Sequence, residues 1–172
     1  MSELFSQDLF IALLKMFLVL VVFPWLIREM FQIIKIFRLR KLGIYDIDKL
    51  SGEDFEKYIK VLLGKLGYSK IHLTPKVGDY GIDVLALSPN GKKVGFQCKR
   101  YKNNVGNKAV QEAYSGKSYY QLEDVYVVTN SHYTQQAIKT GKANKVILLD
   151  REDLLKLIRS ANKKSESKRE LD

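Results

Sequence analysis

Asp83 interrupts an apolar run, Gly81-Ile82-Asp83-Val84, and Gln97-Cys98-Lys99 closes a second one. Asn90-Gly91 between the two runs is a strong hairpin signal, so the runs are predicted to pair as neighbouring strands. Side chains alternate along a strand, which puts Gln97 and Lys99 on one face and Phe96 and Cys98 on the other. With Asp83 opposite, a carboxylate, a carboxamide and an ammonium gather on one face. A hard divalent cation takes oxygen ligands, and the Asp83 carboxylate, the Gln97 side-chain oxygen and the Cys98 backbone carbonyl could supply three. Lys99 beside them could orient or deprotonate a water, or neutralise charge developing on a substrate. A polar trio on a half-exposed sheet face is also common without any chemistry, and these residues alone leave both readings open.

The surrounding elements must hold that face in place. Ser51 is predicted to cap a helix whose Phe55, Ile59, Leu62, Leu63 and Leu66 form one stripe, with Gly67 at its end. Strand patterns follow at residues 69–74, 82–87 and 93–100. Residues 107–121 read as a helix with Val110, Ala113, Tyr114 and Lys117 on one side. Residues 124–128 form a short buried strand, 134–143 a helix and 146–149 another buried strand. Asp150 then caps a last helix through Ile158, and the polar residues 161–172 are expected to be a disordered tail. This order predicts an α/β fold, a mixed sheet flanked by helices on both faces.

The N-terminus has a different composition. Residues 9–27 are apolar except for Lys15. As a helix rising about 1.5 Å per residue the run is about 28 Å long, close to a hydrocarbon core of about 30 Å. Lys15 costs about 2.5–3.5 kcal/mol at mid-helix and less where it reaches the interface, while each Leu, Ile, Val or Phe returns about 0.3–0.6. The balance favours a transmembrane helix. A cleaved signal peptide would carry basic residues ahead of the run, whereas residues 1–8 contain Glu3 and Asp8 and no Lys or Arg. Arg28, Lys35, Arg38, Arg40 and Lys41 all follow the run, which places the C-terminal part in the cytoplasm. Interleaved with Met30, Phe31, Ile33, Ile34, Ile36 and Phe37, they read as a helix leaving the membrane or lying along its surface. The chain therefore divides into a membrane segment with its basic helix at 1–41, a linker at 42–50, a folded domain at 51–160 and the tail.

The net charge is +10, and residues 46–158 hold 18 Lys/Arg against 13 Asp/Glu. That excess suits a polyanion or an acidic membrane surface, although ordinary solubility charge has the same composition. Cys98 is the only cysteine, which excludes an intramolecular disulfide and fits a reducing compartment, and nothing in the sequence resembles a zinc ligand set of Cys and His.

Several short motifs follow one another in order: Phe55-Glu56, Gly67-Tyr68, Gly78-Asp79-Tyr80-Gly81-Ile82-Asp83, Gln97-Cys98-Lys99-Arg100-Tyr101 and Val127-Val128-Thr129-Asn130-Ser131. The ordered set resembles the Mrr catalytic domain, a branch of the PD-(D/E)xK nuclease superfamily, over roughly residues 50–158. The resemblance implies a restriction-endonuclease-like fold and Mg²⁺-dependent hydrolysis of DNA phosphodiesters, with Mn²⁺ as a substitute metal. It implies a metal-binding Asp83, Gln97 at the second, usually acidic position, a catalytic Lys99, and Glu56 as a helix acid assisting the metal. Gln111 resembles a helix polar residue that faces such a site. Gln97 brings one negative charge fewer than the superfamily's acid, which weakens the expected hold on metal.

The implied role is restriction of foreign DNA by a membrane-anchored enzyme, with a homodimer as the means of cutting two strands. The alternative is a weak or inactive nuclease fold that serves as a DNA-binding or membrane interaction module. Arg100, Lys102 and Lys108 flank the site and could contact phosphates. Asp79 suits a turn, and Tyr119 and Tyr120 suit helix packing better than base stacking. Asn130, Ser131 and Thr134 suit capping of the next helix, Cys98 suits the core, and His72 and His132 receive no role.

Overall fold

The computed structural model describes residues 2–39, 43–75 and 80–169, in two units, Met1–Arg38 and Leu39–Asp172. In the first unit, helix α1 (Ser2–Phe17) passes through a π-helical turn (Leu18–Val22) into α2 (Phe23–Leu39). Pro24 lacks the N–H that an α-helix would direct at the carbonyl four residues earlier, and its ring crowds that carbonyl. The wider turn just before it, where the Phe23 N–H donates to the Leu18 carbonyl, accommodates the ring without ending the helix. Phe10–Lys35 is long and apolar enough to cross a membrane, and its large side chains, among them Leu20, Trp25 and Phe31, are exposed. Arg40 and Lys41 lie outside the described residues.

The second unit begins with a short helix, α3 (Ile44–Ile47), then α4 (Gly52–Leu66). Ser51 Oγ accepts the Asp54 N–H at 3.1 Å and starts α4; Phe55, Tyr58, Ile59, Leu62 and Leu63 are buried along it. A five-stranded sheet follows in the order β1 (Ser69–Leu73), β2 (Val84–Leu87), β3 (Lys93–Lys99), β4 (Asp124–Thr129), β5 (Ile147–Leu149). β1, β2 and β3 pair antiparallel, and β3, β4 and β5 pair parallel. The mixed sheet and its flanking helices match the fold expected from the sequence.

Helices α5 (Asn107–Tyr119) and α6 (Gln135–Ala143) make the parallel crossovers, and α7 (Arg151–Arg169) closes the chain. Two cores result. Val84, Phe96, Cys98 and Val128 pack with α4 and α7 on one face, while Val125 and Val127 pack with α5 and α6 on the other. β3 is buried on both faces, so a polar residue on it is shielded from water whichever way it points.

The structure departs from the sequence reading in four elements. Residues 43–50 are not a loose connector: Ile47 is fully buried in the α4–α7 core, because an apolar residue on even a single helical turn can reach it. Residues 161–169 are not a disordered tail, since α7 continues to Arg169. Ala161 extends the apolar row of Leu154 and Ile158, and Lys164 Nζ donates to the Leu66 carbonyl at 3.2 Å. On α5, Tyr114 is exposed and the buried row is Ala109, Val110, Ala113 and Gly116, small residues that let the chain near Ile82 approach closely. β5 is an edge strand and only half-buried.

The α3 region is tied down over a long sequence distance. Arg151 donates to both Asp48 carboxylate oxygens at 2.8 Å and to the Asn130 carbonyl, while Asn130 Nδ2 donates to Asp48 Oδ1. The Arg151 hydrogen bond, which outweighs partial burial, holds the Asp48 carboxyl below its usual range. A depressed carboxylate stabilises the fold above its unfolded value of about 3.9, and that contribution is lost as pH falls through the lower folded value. Arg151→Ala should therefore cost about 1–2 kcal/mol in denaturant unfolding at pH 7, with the deficit shrinking below about pH 4.

Candidate active site

Asp83 stands just ahead of β2, its N–H donating to the Phe96 carbonyl at 2.9 Å, so it already sits in register with β3. Its Oδ2 accepts the Cys98 N–H at 2.5 Å and Gln97 Nε2 at 2.7 Å. The carboxylate and carboxamide expected to share a face are thus in direct contact. Gln97 is 3% exposed, and its Oε1 is buried without a hydrogen-bond partner among the described residues. A buried acceptor left open costs free energy, about 1–3 kcal/mol, unless something else fills it.

Lys99 Nζ lies 3.0 Å from Glu112 Oε2 of α5. Burial works against its ammonium, but the Glu112 hydrogen bond and the Glu112 and Asp83 charges outweigh it, and its pKa stands above the ordinary lysine value. Lys99 is therefore a cation here and suits charge neutralisation better than proton abstraction. Burial, with the charges of Asp83 and Glu56, pushes the Cys98 thiol well up, so Cys98 is an inert core residue.

Glu56, Gly81, Asp83, Gln97, Cys98, Lys99 and Glu112 together line a cavity of about 280 Å³. Glu56 reaches it from α4, as the sequence suggested. Gln111 does not: it is exposed, on the side of α5 opposite the buried row, and Glu112 at the edge of that row enters instead. The signal for Glu112 was the phase of Ala109, Ala113 and Gly116, which fixes how α5 is rotated.

The donor set fits a hard divalent cation. An orphaned buried oxygen lies beside a carboxylate, and three carboxylates against one ammonium leave the cavity anionic despite Gln97.

The proposed phosphate contacts lie around the cavity rather than in it. Lys102 lines a cleft of about 350 Å³ with Asp48, Tyr101, Asn130, Ser131, His132 and Arg151. Arg100 is half-buried near Asp48, and Lys108 is exposed, 3.9 Å from Glu112 Oε1. Asn130 does not cap α6. Thr134 does so, while Asn130 Oδ1 takes the Tyr101 N–H at 2.8 Å. His132, Asp150 and Glu152 cluster on the surface, where Asp150 caps the start of α7. Asp79 and Gly78 lie outside the described residues.

Residues 47–158, which contain this cavity, match the family model of the Mrr catalytic domain, described as restriction endonuclease. The chain belongs to the Mrr family of restriction endonucleases. None of the curated proteins matches it. Among solved structures it is similar to the DNA modification-dependent restriction endonuclease AspBHI, with TM-score 0.55 and 24% identity over 74% of this chain and 36% of that one. It is also similar to AF1548, a protein of unknown function, with TM-score 0.46, 19% identity and 54% of each chain covered. The chain thus spans about half the length of one of these proteins and about a third of the other. The likeness to AspBHI shows the restriction-endonuclease-like fold, and the family match covers residues 47–158 of this unit.

Proposed function

We propose that this protein is a metal-dependent DNA endonuclease, held at a membrane by its N-terminal helix and acting in restriction of foreign DNA. The observation that carries the reading is the buried, open Gln97 Oε1 beside the Asp83 carboxylate, in one cavity with Lys99. Asp83, Gln97 Oε1 and the Cys98 carbonyl would hold Mg²⁺ or Mn²⁺, with Glu56 assisting. The bound ion would supply Lewis-acid polarisation of a phosphodiester oxygen and a more acidic water.

The remaining steps belong to the side chains. Lys99 presents its ammonium to the negative charge carried by the phosphoryl oxygens during in-line attack on phosphorus. Glu112 keeps that ammonium oriented and charged until a phosphate replaces it. Arg100, Lys102 and Lys108 grip flanking phosphates, which positions DNA without reading its sequence. Cutting both strands takes two such sites, which a homodimer would provide.

Phe10–Lys35 supports the anchor by length and exposed apolar surface, and the basic residues from Arg28 to Lys41, which follow the apolar run 9–27, support a cytoplasmic nuclease domain. The test of the chemistry is Lys99→Ala. Cleavage should fall at least about a hundredfold, while salt-dependent DNA binding through the other cations persists. Cleavage at the wild-type rate would remove Lys99 from the mechanism.

A further inference from the structure

Tyr80 and Tyr119 stack on each other on the surface, ring centroids 3.7 Å apart and planes 20° from parallel, with Tyr120 edge-on to Tyr119. The sequence reading gave Tyr119 to helix packing, yet Tyr119 is 57% exposed and Tyr80 51%. Two large aromatic rings are thus held together where neither contributes to a core. We propose that this stack is a platform on which one unpaired base of a DNA strand lies while a phosphate about three nucleotides along the same strand occupies the cavity. The proposal rests on the nuclease reading above.

The position of the pair argues for this occupant. Lys108, Glu112 and Tyr119 are spaced by four and seven residues, so they share one face of α5. That face leads from an exposed cation, through the cavity, to the tyrosines. Glu112 and Tyr119 are about 10 Å apart along the helix, about three steps of a DNA strand rising 3.4 Å each. The partner ring comes from a second segment of the chain that also reaches the cavity. Tyr80 directly precedes Gly81, a lining residue, and both have left-handed backbones, with φ of 49° and 78°. The Tyr80 carbonyl lies so close to α5 that a Cβ on Gly116 would be 2.7 Å from it. That contact holds the Tyr80 backbone against α5, one residue before the cavity lining begins at Gly81.

An exposed aromatic stack offers a flat face that accepts any base without reading it, and such stacking contributes substantially to single-strand binding. Bases inside an intact duplex are already stacked on each other. The platform therefore favours a single strand, a frayed end or a base turned out of the helix.

The experiment uses the full chain in EDTA with a short single strand carrying 2-aminopurine, and with the same strand annealed into a perfect duplex. Wild type should quench the 2-aminopurine on binding the single strand. Tyr80→Leu and Tyr119→Leu should bind it about tenfold more weakly without quenching and leave duplex affinity nearly unchanged. Tyr80→Phe and Tyr119→Phe should behave as wild type. Tyr119, exposed in the last turn of α5, tests the platform even if the Tyr80→Leu protein does not fold.

Unchanged affinity and quenching in the Leu variants would overturn the proposal. So would equal losses for single strand and duplex, which would mean the rings only shape the fold. Lost self-association with DNA binding intact would assign the surface to a second copy of the chain. Absence of any DNA binding by wild type, in EDTA and in Mg²⁺ alike, would instead overturn the nuclease reading itself.

Discussion

Asp83→Asn should abolish DNA cleavage, by about a thousandfold or more, in a protein that keeps its fold. The expected size follows from removing the strand-borne charge that anchors the proposed metal. The expected stability follows from hydrogen-bond accounting. Asp83 Oδ2 satisfies the Cys98 N–H and Gln97 Nε2. An asparagine whose oxygen takes the place of Oδ2 can still accept both, with its NH₂ where Oδ1 was. Alanine would instead leave two buried donors unpaired at about 1–3 kcal/mol each, confounding chemistry with folding. Thermal unfolding should therefore show an Asn variant within about 1 kcal/mol of wild type without metal. A folded Asn variant that cleaves DNA at a wild-type rate would move the active site elsewhere.

Gly81→Ala should be the most damaging single-methyl change near the site, costing about 3 kcal/mol or more. An L-residue held in the left-handed region costs roughly 1–2 kcal/mol, and Gly81 has φ of 78°. A Cβ there would also lie 2.5 Å from the Glu112 carbonyl oxygen, which is helix backbone and cannot step aside cheaply. The segment would have to lift away from α5, carrying Asp83 with it, so cleavage should fall alongside stability. Gly91→Ala is the control. Its φ is 80°, but nothing lies within 4 Å of the added carbon, so only the conformational cost of about 1–2 kcal/mol applies. Equal losses in urea unfolding for the two variants would show that the contact with α5 contributes nothing.

The contrast between Gln97 and Glu112 shows how much of the site was legible in sequence. Asp83, Gln97 and Lys99 were readable because strand alternation and a hairpin turn fix a shared face from local sequence alone. Glu112 was only faintly so: the phase of Ala109, Ala113 and Gly116 points to the buried side of α5, but which neighbour that side meets, Ile82, is a tertiary contact. Asp48 looked like linker for the same reason, since its partner Arg151 lies 103 residues away. The α7 extension was hidden by polar composition, which reports the solvated side of a helix as readily as disorder, with Ala161 its main apolar signal. Tyr119 was assigned to packing because aromatics usually are buried, and only the folded path of the chain at Tyr80 shows what its ring meets.

The most direct test of a nuclease site in this cavity is to incubate the full chain with supercoiled plasmid in Mg²⁺, Mn²⁺ or EDTA, beside the Asp83→Asn protein. Nicking or linearisation by wild type in metal alone, absent from the variant, is the expected result. Cleavage that persists in EDTA, or that the variant performs as fast as wild type, would contradict it, as would a wild type that cuts with neither metal.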